Sequence, residues 1–139
     1  MVKKILAIVS IAATAGALSV GSAAAQDAAK GEAVFKQCMT CHRADKNMVG
    51  PALAGVVGRK AGTAPGFSYS PLNHHSGEAG LVWTQENIIT YLADPNAFLK
   101  KFLTDKGHAD QAVGATKMTF KLANEQQRKD VVAYLATLK

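Results

Sequence analysis

Apolar positions are distributed unevenly along the chain: a continuous run comes first, and after it short stretches with helical spacing alternate with long stretches that have almost no periodicity. The run extends from Ile5 to about Val20. Between Ala28 and about Met39, Gly31, Phe35 and Cys38 fall at i, i+4 and i+7, which puts them on one face of a helix. From Arg43 to Leu72, Gly50-Pro51, Gly55, Gly58, Gly62 and Pro65-Gly66 punctuate the sequence, so this part is expected to be mostly turns, and Asn73 to Gly80 reads in the same style. Thr84 suits the N-cap of a helix running to about Ala93, with Glu86 in its first turn. Asp94-Pro95 stops that helix and opens another, from Pro95 to roughly Leu103, since proline is at home in a first helical position. Thr104 to Thr116 is expected to be a polar loop. Asn124 with Gln127 three residues later resembles a capping box, and a last helix should run to about Leu138 with Val131, Tyr134, Leu135 and Leu138 as its apolar face. No segment alternates as a strand would, and no repeat is visible.

The expectation is therefore an all-α domain of four or five short helices joined by long loops. Loops of this length are unusual in a small domain unless they wrap something. The chain has few aromatics and 12 glycines, a thin set from which to build a core, and a large apolar cofactor would fill that gap.

The opening run has the layout of a secretory signal. Lys3 and Lys4 supply the positive start, and Ala23-Ala24-Ala25 is an A-x-A cleavage site, so residues 1–25 are expected to be removed and the domain to occupy residues 26–139. An uncleaved anchor helix competes with this, but its apolar run is short for a membrane span and rich in small residues. Two of the sixteen Lys and Arg and none of the ten acids precede Gln26, so the formal charge falls from +6 to +4 on cleavage. That mild excess suits an acidic partner surface or an anionic membrane face. Nucleic acid is a poor partner, because the chain is exported and its lysines are not interleaved with stacking aromatics.

Both cysteines lie in Cys38-Met39-Thr40-Cys41-His42, and C-x-x-C-H spacing reads as a c-type haem attachment. Residues three and four apart share a face on a helical turn, so two thiols can bond to the vinyl groups along one porphyrin edge while the histidine reaches the iron. A disulfide-exchange pair would want a preceding strand and a βαβ pattern, and neither is visible. Zinc would need four ligands, and His74-His75, adjacent in a loop, should point apart. A structural disulfide would close a very tight loop. What fills the sixth position of the iron decides between oxygen chemistry, catalysis and electron transfer. Met1 leaves with the signal, Met39 lies between the cysteines, and Met48 is only six residues after His42. Met118 lies far along the chain, and the residues alone leave open whether it is a ligand or core filler.

With these elements in hand, the sequence resembles the class I c-type cytochromes, most closely the bacterial cytochromes c2, nearly from Lys30 to Leu138. The elements that carry the resemblance occur in order: Gly31 and Phe35; Cys38 to His42; Gly50-Pro51-Ala52-Leu53; Gly58-Arg59-Lys60; Pro65 to Ser70; Asn73, Trp83, Tyr91 and Leu92; Lys117-Met118-Thr119-Phe120; and Asp130 to Leu135. The resemblance implies one covalently bound haem with His42 and Met118 as axial ligands, and Gly31 as the point where the first helix crosses the last, against Tyr134. It implies that the Pro51 carbonyl accepts from the free ring nitrogen of His42. Tyr69 and Trp83 would donate to a haem propionate with Arg59 nearby, and Asn73 and Tyr91 would form a polar network beside Met118. Extra residues between Asn73 and Trp83, and a longer insertion around Leu103 to Val113, depart from the short family members.

The function so implied is that of a soluble, monomeric periplasmic electron carrier, not an enzyme and not inserted in a membrane. It would take electrons from a cytochrome bc1 complex and pass them to a photosynthetic reaction centre or a terminal oxidase. Lys100, Lys101, Lys106, Lys117 and Lys121, with Lys36 and Lys60, are candidates for the docking ring around the haem edge, against the alternative of an ordinary solvated charge run. A haem enzyme or gas sensor with a displaceable sixth ligand is the competing functional class.

Overall fold

The computed structural model describes residues 25–139, so the expected leader lies outside the described residues but for its final alanine. Asp27 caps the first helix, α1 (Ala28–Cys38), by accepting the Lys30 N–H. Ser70 caps α2 (Pro71–Glu78), Thr84 caps α3 (Gln85–Ala93), Asp94 caps α4 (Pro95–Asp105) and Asn124 caps α5 (Glu125–Leu135). Each of these side-chain oxygens satisfies one of the backbone N–H groups that a helix start leaves without a partner. A short 3-10 turn spans Ala109–Gln111. Five α-helices and no strand among the described residues meet the all-α expectation; one isolated antiparallel bridge pairs Lys60 with Val82.

Helix α1 crosses α5 at Gly31, where a Cβ would stand 1.9 Å from the Asp130 carbonyl oxygen and 2.9 Å from Tyr134 Cβ. The missing side chain is what allows the two backbones to touch, and Phe35 and Tyr134 close the crossing with ring centroids 5.2 Å apart. Asp130, buried at this crossing, accepts hydrogen bonds from the Asp27 N–H at 2.9 Å and from Gln126 Nε2 at 2.8 Å. The start of the domain is thereby tied to its last helix.

Helix α2 corrects the expectation of turns over Asn73 to Gly80. Its buried residues are Leu72, Asn73, Ser76 and Gly77, so the inward face offers little apolar pattern. Ser76 returns its hydroxyl to the Leu72 carbonyl at 2.8 Å, and a Cβ on Gly77 would meet the Ala61 oxygen at 2.0 Å. The face is thus built for close backbone approach rather than for side-chain packing. His74 and His75 correct a second expectation. Carried on this helix, both reach the Glu78 carboxylate, at 3.4 and 3.2 Å, instead of pointing apart. The insertion is also more ordered than a polar loop, since α4 runs on through Thr104 to Asp105 before the 3-10 turn. At the other end α5 stops at Leu135, three residues earlier than the pattern suggests. Among the described residues no helix is long and apolar enough to cross a membrane.

Candidate cofactor site

Between the α1–α5 crossing, α3 and the long loops lies a cavity of about 440 Å³ with predominantly apolar walls. This volume falls in the usual range for an organic ligand, roughly 300–1,000 Å³. Cys38, Cys41, His42, Pro51, Arg59, Tyr69, Asn73, Trp83, Tyr91 and Met118 all line it, although they come from segments up to eighty residues apart in the chain.

Helix α1 ends at Cys38, but its last turn is continued by hydrogen bonds from Cys41 N–H and His42 N–H to the Cys38 carbonyl, at 3.1 and 2.9 Å. The three side chains of the motif are set on one turn by this chain reversal. Both cysteines are free thiols rather than a disulfide. Burial pushes the Cys38 thiol up to about 11, the opposite of the lowered value on which a disulfide-exchange cysteine depends. Among the described residues no three His, Cys, Asp or Glu side chains gather as a zinc ion would require.

His42 Nδ1 lies 2.8 Å from the Pro51 carbonyl oxygen. Burial lowers the pKa of the ring, with the Pro51 hydrogen bond opposing it, so the imidazole is neutral at neutral pH and carries one N–H. That N–H is donated from Nδ1, which leaves the Nε2 lone pair free to bind a metal. Gly50 holds the ring from the side: a Cβ there would stand 2.3 Å from His42 Cε1.

Met118, also on the cavity wall, is half-buried in the loop that follows the insertion, and its N–H lies 3.4 Å from Thr116 Oγ1. Tyr91 is buried, and burial pushes its pKa up to about 12, with Thr116 opposing the rise, so it stays neutral. Trp83 packs on Tyr91 with centroids 4.7 Å apart. Tyr69 accepts the Ala64 N–H at 3.1 Å, which leaves its own O–H available as a donor. Arg59 binds the loop carbonyls of Ala52 and Ala54, at 3.0 and 3.4 Å. Asn73 Oδ1 and Arg59 Nε are buried without a partner, and buried polar atoms of this kind are costly unless something bound satisfies them.

The docking candidates are scattered. Lys117 alone lines the cavity; its ammonium donates to the Ser68 carbonyl and stands over the Phe67 ring. Lys101 is paired with Asp105 at 2.8 Å, Lys121 with Asp94 at 2.6 Å, and Lys106 lies over Phe102. Lys36 and Lys60 are exposed and Lys100 is half-buried on α4. Sequence reasoning overlooked two asparagines near the site. Asn47 accepts the Ala52 N–H and donates to the Pro65 carbonyl, and Asn96 accepts the Thr116 N–H. Both are polar residues in polar stretches, and only their long-range partners distinguish them.

An apolar slot, two thiols, a neutral imidazole with one nitrogen free, a thioether and unsatisfied polar atoms at the wall make a donor set that fits a covalently attached haem. Comparison with known proteins agrees. The family model for cytochrome c matches residues 28–139. Over the whole length of both chains the protein is 86% identical to a cytochrome c2 of Rhodopseudomonas palustris. It is 71% identical over 112 residues to cytochrome c2 iso-2 of Rhodospirillum centenum, covering 78% of this chain and 93% of the relative. The solved structure of ferricytochrome c2 from Rhodopseudomonas palustris superposes with a TM-score of 0.81 at 88% identity, covering 82% of this chain and all of the other.

Proposed function

Because the chain belongs to the cytochrome c family, we propose that it is a soluble periplasmic one-electron carrier whose haem iron is held between His42 and Met118. Family membership carries the coarser statements: the protein is a class I c-type cytochrome, it bears one covalently attached haem c, and it transfers electrons rather than catalysing a reaction. When bound, the haem supplies the one-electron change at its iron. The chain supplies the rest. Cys38 and Cys41 would provide the two thioether links, which keep the cofactor from being lost after export. His42 offers Nε2, oriented and made more basic by the Nδ1–H donated to Pro51. Met118 offers a soft neutral sulfur that favours the ferrous state and raises the potential. With both positions filled there is no vacancy for substrate. Asn73, Arg59, Tyr69 and Trp83 are the groups available to the polar edge of the ring.

Residues 1–25 would be the export signal, leaving a carrier that begins at Gln26. A cytochrome bc1 complex is proposed as donor, and a photosynthetic reaction centre or a terminal oxidase as acceptor. Lys117 is best placed to guide docking, since it belongs to the cavity wall and neighbours the proposed ligand. Such pairing would speed encounter while a small interface lets the complex separate quickly.

The observation that supports the reading is that a neutral imidazole with Nε2 free and a methionine thioether, far apart in the chain, line one apolar cavity together with both cysteines. The oxidised holoprotein should show a weak sulfur-to-iron charge-transfer band that cyanide or imidazole abolishes. Met118→Ala should remove that band and lower the midpoint potential. If the variant keeps the absorption and potential of the parent, Met118 is not a ligand.

A further inference from the structure

The segment that carries Met118 is held in an unusual way. Residues 113–121 make no backbone–backbone hydrogen bond; pairing resumes only at Leu122 N–H, which donates to the Leu92 carbonyl at 2.8 Å. Thr116 N–H donates to Asn96 Oδ1 at 3.1 Å, and Lys121 Nζ reaches Asp94 Oδ2 at 2.6 Å. Asp94 and Asn96 flank Pro95 at the start of α4, so both ends of the methionine segment are fastened to one helix turn. Beneath the segment lies a second cavity of about 230 Å³, walled by Asp94, Asn96, Thr116, Met118 and Lys121 among others. Met118 therefore borders space in both cavities, and its segment is held by side chains alone.

We propose that Asn96 and Asp94 are positioning residues that latch the methionine segment closed, so that this latch sets how readily Met118 yields its place to an outside ligand. The proposal rests on the reading of Met118 as axial ligand. A small nitrogen base such as imidazole would bind only the state in which Met118 has swung away, so its apparent affinity reports the population of that state. The two fastenings are unequal. The Lys121 and Asp94 side chains are 57% and 38% exposed, so their ion pair is screened by water and weak. The Asn96 bond is partly buried, and its loss strands the N–H of the buried Thr116.

The test is an imidazole titration of the oxidised holoprotein, followed by the charge-transfer band, with thermal unfolding in parallel. Asn96→Ala should raise apparent imidazole affinity about tenfold, the equivalent of losing one such hydrogen bond. Asn96→Asp keeps an acceptor oxygen and should restore the parental affinity. Asp94→Asn keeps a helix cap and removes the charge, and should raise affinity only about two- to threefold. An unchanged affinity in Asn96→Ala, or a rise of equal size in Asn96→Asp, overturns the latch. Absence of the band from the parent protein overturns the ligand assignment itself and the latch with it, a result distinct from the first. Should Asn96→Ala yield no holoprotein, amide exchange in the parent decides: a latched Thr116 N–H exchanges far more slowly than those of Lys117 and Thr119, and equal rates overturn the proposal.

Discussion

The two segments that bring His42 and Met118 to the cavity are built on opposite principles. On the histidine side the backbone does the holding. Gly50 N–H donates to the Cys41 carbonyl at 2.8 Å, Leu53 N–H to Arg43 at 3.0 Å and Ala54 N–H to Ala44 at 2.9 Å, so the stretch from His42 to Pro51 forms a laced hairpin around the ring. On the methionine side the comparable stretch has no such lacing and depends on Asn96, Asp94 and Thr116. Exchange at the iron should accordingly occur at one face. With His42 and Met118 as the proposed ligands, a set fixed at one side and latched at the other would keep the coordination constant during electron transfer, yet leave one place where it could be broken.

The change expected to have the largest effect attacks the laced side. Gly50→Ala would place a methyl 2.3 Å from His42 Cε1 and 2.7 Å from both ring nitrogens. The ring has no easy retreat, because its Nδ1 is committed to Pro51. Overpacking against a fixed partner should cost about 3 kcal/mol or more and displace the imidazole. Denaturant unfolding and the midpoint potential of the holoprotein check this. A variant with parental values of both would mean that the ring is not wedged in place.

A smaller effect sharpens the contrast. Asn47 links the histidine loop to the loop bearing Tyr69, through the Ala52 N–H at 2.9 Å and the Pro65 carbonyl at 2.8 Å. Asn47→Ala should cost roughly 1–2 kcal/mol of stability for the two bonds. It should leave imidazole affinity unchanged, whereas Asn96→Ala should raise that affinity about tenfold. If Asn47→Ala opens the methionine side as much as Asn96→Ala does, the two walls are one cooperative unit and the distinction fails.

How far these features could be read from the chain follows the same division. Local chemistry was legible. Thr84 with Glu86, Asp94-Pro95 and Asn124 with Gln127 are signals written within four residues, and α3, α4 and α5 begin where they indicate. The C-x-x-C-H motif placed both thiols and the imidazole for the same reason. Helix α2 was not legible as a pattern, because Leu72 is the one large apolar residue on a buried face otherwise made of Asn73, Ser76 and Gly77, the last of them against the Ala61 backbone. Ser70 followed by Pro71, an N-cap with proline at the first helical position, was the signal available. Asn96 was invisible for a different reason: its partner is twenty residues away across an insertion, and no spacing rule reaches that far.

The smallest expected effect comes from the outer fastening of the latch, through its pH dependence. The Ala97 N–H, and then Lys121, hold the Asp94 carboxyl below its ordinary value of 3.8. A carboxylate that is more acidic in the folded than in the unfolded state stabilises the fold at every pH above its ordinary value, and that contribution disappears as pH falls through the lower, folded value. Asp94→Asn lacks the titrating group. Its thermal midpoint should therefore lie below the parent's near neutrality, and the two should converge as pH falls below the ordinary carboxyl value of 3.8. Because the carboxylate is exposed, the gap should be slight and should also shrink with added salt. Parallel curves across that range would mean that the Lys121 contact adds nothing to the fastening. The methionine segment would then hang on Asn96 and on the Lys117 bond to the Ser68 carbonyl, and the contrast between a laced wall and a latched one would become sharper still.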